Sequence, residues 1–402
     1  MSISQNRKKQ LEKNFARMFW IRAFVSIKVI NVVISLFYIH RGLSLSQIFY
    51  LAVIWSISSL LFEVPSSYLA DRWGRKQTIT ISILLMASHW FLLLFVNGFF
   101  WISIATIFYG MSFAALSGTD EALVYDTEKE LGKEKGTLIK LGRYKSAQSL
   151  FKIFAPLVAV LIAKNLLAWQ YLVLLGIDFI VTLIALFFAA NIIEPHHKMD
   201  LEKEEAGVMM DAVNLLRKDK ELLRAILNKE ILFFAMFIPW LYYQKFFIDL
   251  GLTIVFIGLF WGVRHTIAFF WHWYVGHIQV GESIGGRINR LNTFFTLTSG
   301  FAVLLLLVWP QPHTLYFLFI AMTLFEGFRF SLFSELFHKK FKSYNRATTY
   351  SLVNLLHSII EIPLVIAAGI LVALNNSYPY YLTFLLALIV IFFIRIKEKK
   401  TV

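Results

Sequence analysis

The sequence predicts an all-α membrane protein with twelve transmembrane helices, and three observations carry that reading. Hydrophobic residues make up 58% of the chain and charged residues only 16%, with a mean hydropathy of +0.65. A soluble domain is nearer half apolar and a quarter charged. The apolar residues gather into segments at about 18–40, 45–69, 77–96, 99–121, 138–163, 168–191, 226–249, 253–279, 288–309, 313–337, 347–374 and 378–395. Each is long enough to cross a bilayer as a helix, or nearly so. The basic residues are also unevenly shared: the turns on one side hold only Arg41 and Lys164, while the loops on the other are rich in Lys and Arg. Cytoplasmic loops keep positive charge, so both termini are expected in the cytoplasm. The net charge of +14 is then a matter of topology, and nucleic acid is not an expected partner.

Along the chain, Arg7, Lys8, Lys9, Lys13 and Arg17 precede an apolar run too long for a signal peptide, so span 1 is expected to be retained. Spans 2 and 3 are joined by Glu63-Val64-Pro65-Ser66-Ser67-Tyr68-Leu69-Ala70-Asp71-Arg72-Trp73-Gly74-Arg75-Lys76. A turn that short at the water boundary needs backbone freedom, which Gly74 supplies. Arg72, Arg75 and Lys76 hold it on the cytoplasmic side. Asp71, an anion among cations, is expected near helix N-termini, which attract negative charge.

Leu69, Ala70, Asp71, Arg72, Gly74, Arg75 and Lys76 match the pattern G-x-L-A-D-R-x-G-R-K. The chain thereby resembles the major facilitator superfamily, which carries that pattern between its second and third helices; Ser67 stands where the family usually has glycine. The resemblance implies two pseudo-symmetric six-helix bundles, at 1–191 and 226–402, joined by a cytoplasmic linker at 192–225. A degenerate second copy stands between spans 8 and 9 at Glu282-Ser283-Ile284-Gly285-Gly286-Arg287. In the linker, Val208, Met209, Ala212, Val213, Leu215 and Leu216 recur at helical spacing, as an amphipathic helix on the membrane face or a solvated connector would have them. His196-His197 reads as part of that connector rather than as a metal site.

Ionisable residues deep in spans are costly and so informative. They are Lys28 in span 1, Lys152 in span 5, Arg264 in span 8, Glu326 in span 10 and Glu361 in span 11. In the family, helices 1, 4, 7 and 10 line the cavity and 2, 5, 8 and 11 lie between the halves. The expected substrate contacts are Lys28, Asn31, Lys152, Arg264, Glu326 and Arg329. Arg264 has no acid at pairing distance on its own helix, whereas Glu326 and Arg329 are spaced to neutralise each other. Lys152 is open to pairing with Asp120 or Glu121. Glu361 shares a face with His357; a buried carboxyl beside an imidazole suits a coupling proton, with Glu326, Asp120 and Glu121 as further candidates. The family implies a gate from Asp71, Arg72, Gly74 and Arg75, with Asp126 at the mouth of span 4 paired to Arg75. His89 and Asp178 read as packing or local hydrogen bonds.

No H-E-x-x-H or G-x-S-x-G motif occurs and cysteine is absent, so neither an intramembrane hydrolase nor a thiolate metal site is expected. No cofactor and no metal are called for. The cations at depth favour an anionic or zwitterionic organic solute, such as a carboxylate-rich metabolite or a siderophore, moved by proton-coupled symport or antiport with alternating access. The second reading is a proton-driven exporter of amphipathic compounds, suggested by Trp240, Tyr242, Tyr243, Trp261 and Trp271. Thr106 and Ala155-Pro156, where drug exporters carry other residues, count against it. The expected setting is a monomer in the bacterial inner membrane, its partners being lipid, solute and protons.

Overall fold

A computed structural model describes residues 4–133, 137–150, 152, 154–196, 219–274, 283–340 and 346–397. These form sixteen α-helices and one 3₁₀ turn, with no strand among the described residues. The helices are α1 (Gln5–Val25), α2 (Ile34–His40), α3 (Leu45–Trp73), α4 (Arg75–Phe95), α5 (Phe99–Leu116), α6 (Thr119–Glu130), α7 (Thr137–Leu150), α8 (Ala155–Ile162) and α9 (Ala168–Ala190). They continue as α10 (Lys220–Trp240), α11 (Tyr243–Asp249), α12 (Ile254–Tyr274), α13 (Ile284–Val308), α14 (Pro312–Lys340), α15 (Arg346–Leu374) and α16 (Tyr378–Phe393). Eight helical stretches are long and apolar enough to cross a membrane, nine when α10 and α11, bent by 46°, count as one span. With the shorter apolar helices α12 and α16 and the α7–α8 pair, these occupy the twelve expected positions.

The chain divides into two compact units, 1–43 with 54–200, and 44–53 with 201–402, so α3 contributes to both. In the first unit α4 packs on α5 and α9, and α1 on α7 and α9; in the second α13 packs on α14 and α16, and α10 on α16. Outward faces are apolar at helical spacing: Leu84, Phe91 and Phe95 on α4, Ile180, Leu183, Ile184 and Phe187 on α9, and Leu297, Phe301, Leu304 and Val308 on α13. Such stripes meet lipid, and the chain is a multi-pass membrane protein. The expected linker helix and Glu282 lie outside the described residues, but Ser283 caps α13 by accepting from Gly286 N at 3.1 Å.

Four expected spans are interrupted, which hydropathy did not reveal. Span 1 begins at Gln5 rather than near 18, and its helix stops at Val25. A 3₁₀ turn at Ile30–Val33 then leads into α2. The run Val29, Ile30, Val32, Val33 and Ile34 is β-branched, which lowers helix propensity. The freed Val29 and Ile30 amides donate to Asp178 Oδ1 and Oδ2 at 2.8 and 3.0 Å, from a carboxylate with no exposed surface on α9. Asp178 is therefore the cap of a broken span. Span 4 breaks at Ser117-Gly118, where Gly118 has φ +78°; span 5 breaks between α7 and α8 ahead of Pro156; span 7 bends after Pro239.

Each unit closes its trailing segment with an asparagine. Asn14 Nδ2 donates to Ile193 O at 2.7 Å, and Ile193 N to Asn14 Oδ1 at 3.0 Å. In the second unit Asn289 Nδ2 donates to Ile396 O at 2.9 Å and Ile396 N returns to Asn289 Oδ1 at 3.1 Å, while Asn228 Nδ2 donates to Ile394 O at 2.7 Å.

An Asp178→Ala substitution leaves two buried amides without an acceptor, which should cost about 2 kcal/mol or more. The thermal midpoint of the purified protein should fall, and by less for Asp178→Asn. An unchanged midpoint for the alanine variant would contradict the capping role.

Candidate functional site

The motif between spans 2 and 3 is tighter than the sequence indicates. Helix α3 continues through Asp71 to Trp73, and Gly74 alone separates it from α4. Its φ is +101°, a backbone that side chains rarely adopt, and a Cβ there would lie 2.9 Å from Glu194 Cδ. Glu194, beyond α9, accepts from Arg75 N at 2.8 Å and Lys76 N at 2.6 Å. The anion at this N-terminus is thus Glu194, which the sequence reading passed over. Asp71 is exposed on the last turn of α3, because the helix carries it past the α4 amides, and its expected place there is corrected. Arg72 is also exposed and donates to Tyr68 Oη at 2.8 Å. Arg75 and Asp126 do meet, at 2.6 Å between Nη1 and Oδ2, and both are largely buried. Behind them Arg7 Nε donates to Glu130 Oε1 at 2.6 Å, and His196 N and Nδ1 contact the same carboxylate at 2.7 and 2.9 Å.

Deeper in the first unit, Lys28 stands in the break of span 1 and donates to Tyr109 Oη, its ammonium 4.6 Å from the ring centroid. Tyr109 stacks on His89 at 4.7 Å, and His89 Nδ1 donates to Ala105 O at 2.8 Å. Asn31 lies on the adjoining 3₁₀ turn, half-buried. Asp120 is buried, held by Arg22 Nη1 at 3.2 Å and by Tyr144 Oη donating at 2.6 Å. Arg22 also donates to Gln148 Oε1 at 2.7 Å. These partners, not Lys152, neutralise Asp120; Lys152 sits half-buried in the break between α7 and α8. Glu121 is half-buried.

In the second unit, Arg264 of α12 lays its guanidinium 4.8 Å from the Trp240 ring centroid, where α10 bends into α11. Trp261 stands 5.3 Å from Trp240 and donates Nε1–H to Tyr243 Oη at 2.6 Å, so these polar tips satisfy each other. Among the described residues no carboxylate lies within ion-pairing distance of Arg264 or Lys28. Glu326 and Arg329 form the pair their spacing predicts. Arg329 has no exposed surface, and its Nη2 also donates to Asn228 O at 2.9 Å. Asn228 in turn accepts from Asn292 Nδ2 at 3.1 Å.

His357 and Glu361 do come together, Nε2 to Oε2 at 3.9 Å, but the stronger partner of His357 is Glu230, at 2.6 Å from Nδ1. Glu230 is fully buried and also accepts from Lys229 Nζ at 2.6 Å. The sequence reading missed it, because Lys229-Glu230 stands at the edge of span 7 and resembles boundary charge. One signal was present: Ile226, Glu230 and Phe234 recur every four residues on a stripe with no exposed surface.

The sequence matches the model of the Major Facilitator Superfamily over residues 21–359. No curated protein sequence matches it. Among solved structures, the chain is similar to the nucleoside transporter NupG, with TM-score 0.72 at 14% identity over 98% of this chain and 100% of that one. It is similar to a bacterial homologue of the human lysosomal transporter Spinster, inward-facing and unoccupied, with TM-score 0.67 at 14% identity over 96% and 89% of the two chains. It is also similar to a D-xylose–proton symporter, with TM-score 0.66 at 13% identity over 99% of each. At such identities the likeness is one of fold.

The Gly74–Glu194 contact can be tested alone. Gly74→Ala imposes a backbone strain of about 1–3 kcal/mol and displaces the Glu194 carboxyl. Glu194→Ala removes the acceptor itself. Because both act on one contact, the double variant should lose less thermal stability than the sum of the singles. Strict additivity of the midpoints would place Glu194 elsewhere.

Proposed function

The chain belongs to the major facilitator superfamily and is a multi-pass membrane transporter, not an enzyme; on that premise we propose that it moves a small organic anion or zwitterion by proton-coupled alternating access. The observation that carries this reading is Arg264. A guanidinium keeps its charge at any physiological pH. In a low-dielectric setting that charge calls for an anion, and this one rests on an indole face with no carboxylate at pairing distance among the described residues. An arginine held from one face keeps its in-plane donors for a bidentate partner such as a carboxylate. Lys28, which donates to a phenol and lies over its ring, with the Asp178 carboxylate near enough to feel its charge but with no carboxylate at pairing distance among the described residues, is a second candidate cation. Glu326 and Arg329, by contrast, are committed to each other and to Asn228, and hold the second unit together rather than the cargo.

The amphipathic-export reading draws on Trp240 and Trp261, which are half-buried. Tyr242 and Tyr243 are fully buried core residues, and the Trp271 side chain lies outside the described residues. Gating falls to the Gly74 turn with the Arg75–Asp126 pair, which ties the start of α4 to α6. The protein works as a monomer in a bacterial inner membrane, its basic loops and both termini in the cytoplasm.

Calorimetry on the purified protein tests the cargo reading, with succinate, citrate and benzoate as anionic probes and tetraphenylphosphonium as the cationic one. The anions should bind more tightly. Arg264→Ala should cost about 1.5–3 kcal/mol, roughly 10- to 150-fold in Kd, and Arg264→Lys less. Preferred binding of the cation, unaffected by Arg264→Ala, would favour the exporter. For the gate, Arg75→Ala should lower turnover roughly tenfold while leaving probe affinity nearly unchanged, since a latch acts on a conformational step. Normal turnover would remove Arg75 from the gate.

A further inference from the structure

In the second unit an imidazole bridges two buried carboxylates. Glu230 of α10 has no exposed surface, and its two oxygens are held separately: Lys229 Nζ donates to Oε1 at 2.6 Å, and His357 Nδ1 lies 2.6 Å from Oε2. The other ring nitrogen, Nε2, faces Glu361 Oε2 at 3.9 Å, one turn further along α15. Phe233 and Phe234 pack against the imidazole, with centroids at 5.3 and 4.6 Å. Exposure falls from 31% for the His357 side chain through 20% for Lys229 to 4% for Glu361 and none for Glu230. His357 is therefore the member that water reaches most easily.

We infer that Glu230, His357 and Glu361 bind one proton as a unit, and that this bridged imidazole is the coupling site of the transporter proposed above. The case rests on what holds each buried acid. Glu326 is held by Arg329, Asp120 by Arg22 and Tyr144, and Asp178 by two backbone amides. Guanidinium, phenol and amide donors keep their own hydrogens near neutral pH and have none to pass on. An imidazole changes charge in the physiological range, and among these partners it alone can hand a proton on.

The geometry also says where the proton sits. With Glu230 ionised and anchored by Lys229, Nδ1 carries its hydrogen toward Oε2 in either charge state of the ring. The exchangeable proton is then the one on Nε2, facing Glu361. When it is present, imidazolium and Lys229 balance the two carboxylates and the cluster is neutral. When it leaves, the Nε2 lone pair faces an anionic oxygen and the cluster holds one net negative charge. The proton comes from bulk water and returns to bulk water; no other bond forms or breaks. A neutral cluster is far cheaper to hold in hydrocarbon than a charged one, so loading lowers the cost of enclosing the site. On the helix packed alongside, Glu326 and Arg329 of α14 pair with each other and lie close enough to feel the charges of Lys229 and Glu230, and α16 carries no Asp, Glu, Lys, Arg or His in its length. Glu230, the anchor, sets the proton affinity of a group it does not share a helix with, which explains why His357 and Glu361 alone gave an incomplete site.

Infrared difference spectra of the full-length protein in liposomes, recorded while the pH is stepped, test this without any cargo. Wild type should show an imidazole step, with an accompanying shift of carboxylate bands, that His357→Gln abolishes. Glu230→Gln should lower the proton affinity at least tenfold, moving the midpoint down by about one unit or more. Glu361→Gln should remove part of the carboxylate-band shift and keep the imidazole step. Glu12→Gln, in the exposed pair with Lys133, should leave the step in place. Thermal midpoints within a few degrees of wild type establish that the variants are folded, and His357→Gln provides a second route should Glu230→Gln not be. Absence of any such step in wild type, or a midpoint indifferent to both Glu230→Gln and His357→Gln, would overturn the inference while leaving the cargo reading intact. A step that behaves as described in a protein that binds no anionic probe would sink the cargo reading and keep the proton site.

Discussion

Hydrocarbon offers no water to a stranded polar group, and this constraint explains most of the arrangement. At several breaks and buried charges among the described residues, the same unit supplies the partner. Asp178 takes the amides freed where span 1 gives up its helix. Glu194 takes those at the start of α4, and can approach only because residue 74 has no Cβ. Arg329 is enclosed completely, and Glu326 and Asn228 take its two terminal nitrogens, with Asn292 donating to Asn228 behind them. Each of these carboxylates and amides costs several kcal/mol if left alone and little when satisfied. They therefore tell more about how the fold is held than about what it carries.

The exceptions carry the functional argument. Arg264 is matched to an aromatic ring and Lys28 to a phenol, partners that soften a charge without cancelling it. Glu230 and Glu361 are matched through an imidazole, a partner whose charge changes. A transporter needs groups of both kinds: a standing charge that cargo completes, and a reversible one that couples a gradient to the cycle. Differential binding between conformations is what a cargo must supply for the cycle to turn, and the proposal gives that part to the Arg264 guanidinium on its aromatic platform.

Much of this was legible in the sequence, but unevenly. The apolar segments gave the twelve positions, and the run from Leu69 to Lys76 gave the family, because both are local patterns. Spacing on one helix foretold the Glu326–Arg329 pair, and the motif foretold Arg75 with Asp126. What stayed hidden were partnerships between distant helices: Glu194 rather than Asp71 at the α4 terminus, Asp178 on the break of span 1, Glu230 on His357. No periodicity within one element records which neighbour will face it. The break at Val29 to Ile34 was readable in principle from its β-branched run, yet a hydropathy average weighs valine and isoleucine as good membrane residues. Glu230 was hidden by position, since a Lys-Glu pair at the rim of a span looks like its border.

The central proposal is that Arg264 and Lys28 serve a cargo anion and that the His357 cluster serves a proton. It is tested most directly by following labelled carboxylates into liposomes holding the purified protein, with an imposed pH gradient and a pH-sensitive dye trapped inside. The account predicts that at least one carboxylate moves against its own gradient, that protons move with the flux, and that collapsing the pH difference stops both. Uphill movement of cationic amphiphiles with no movement of carboxylates, or carboxylate accumulation indifferent to the pH difference, would contradict it.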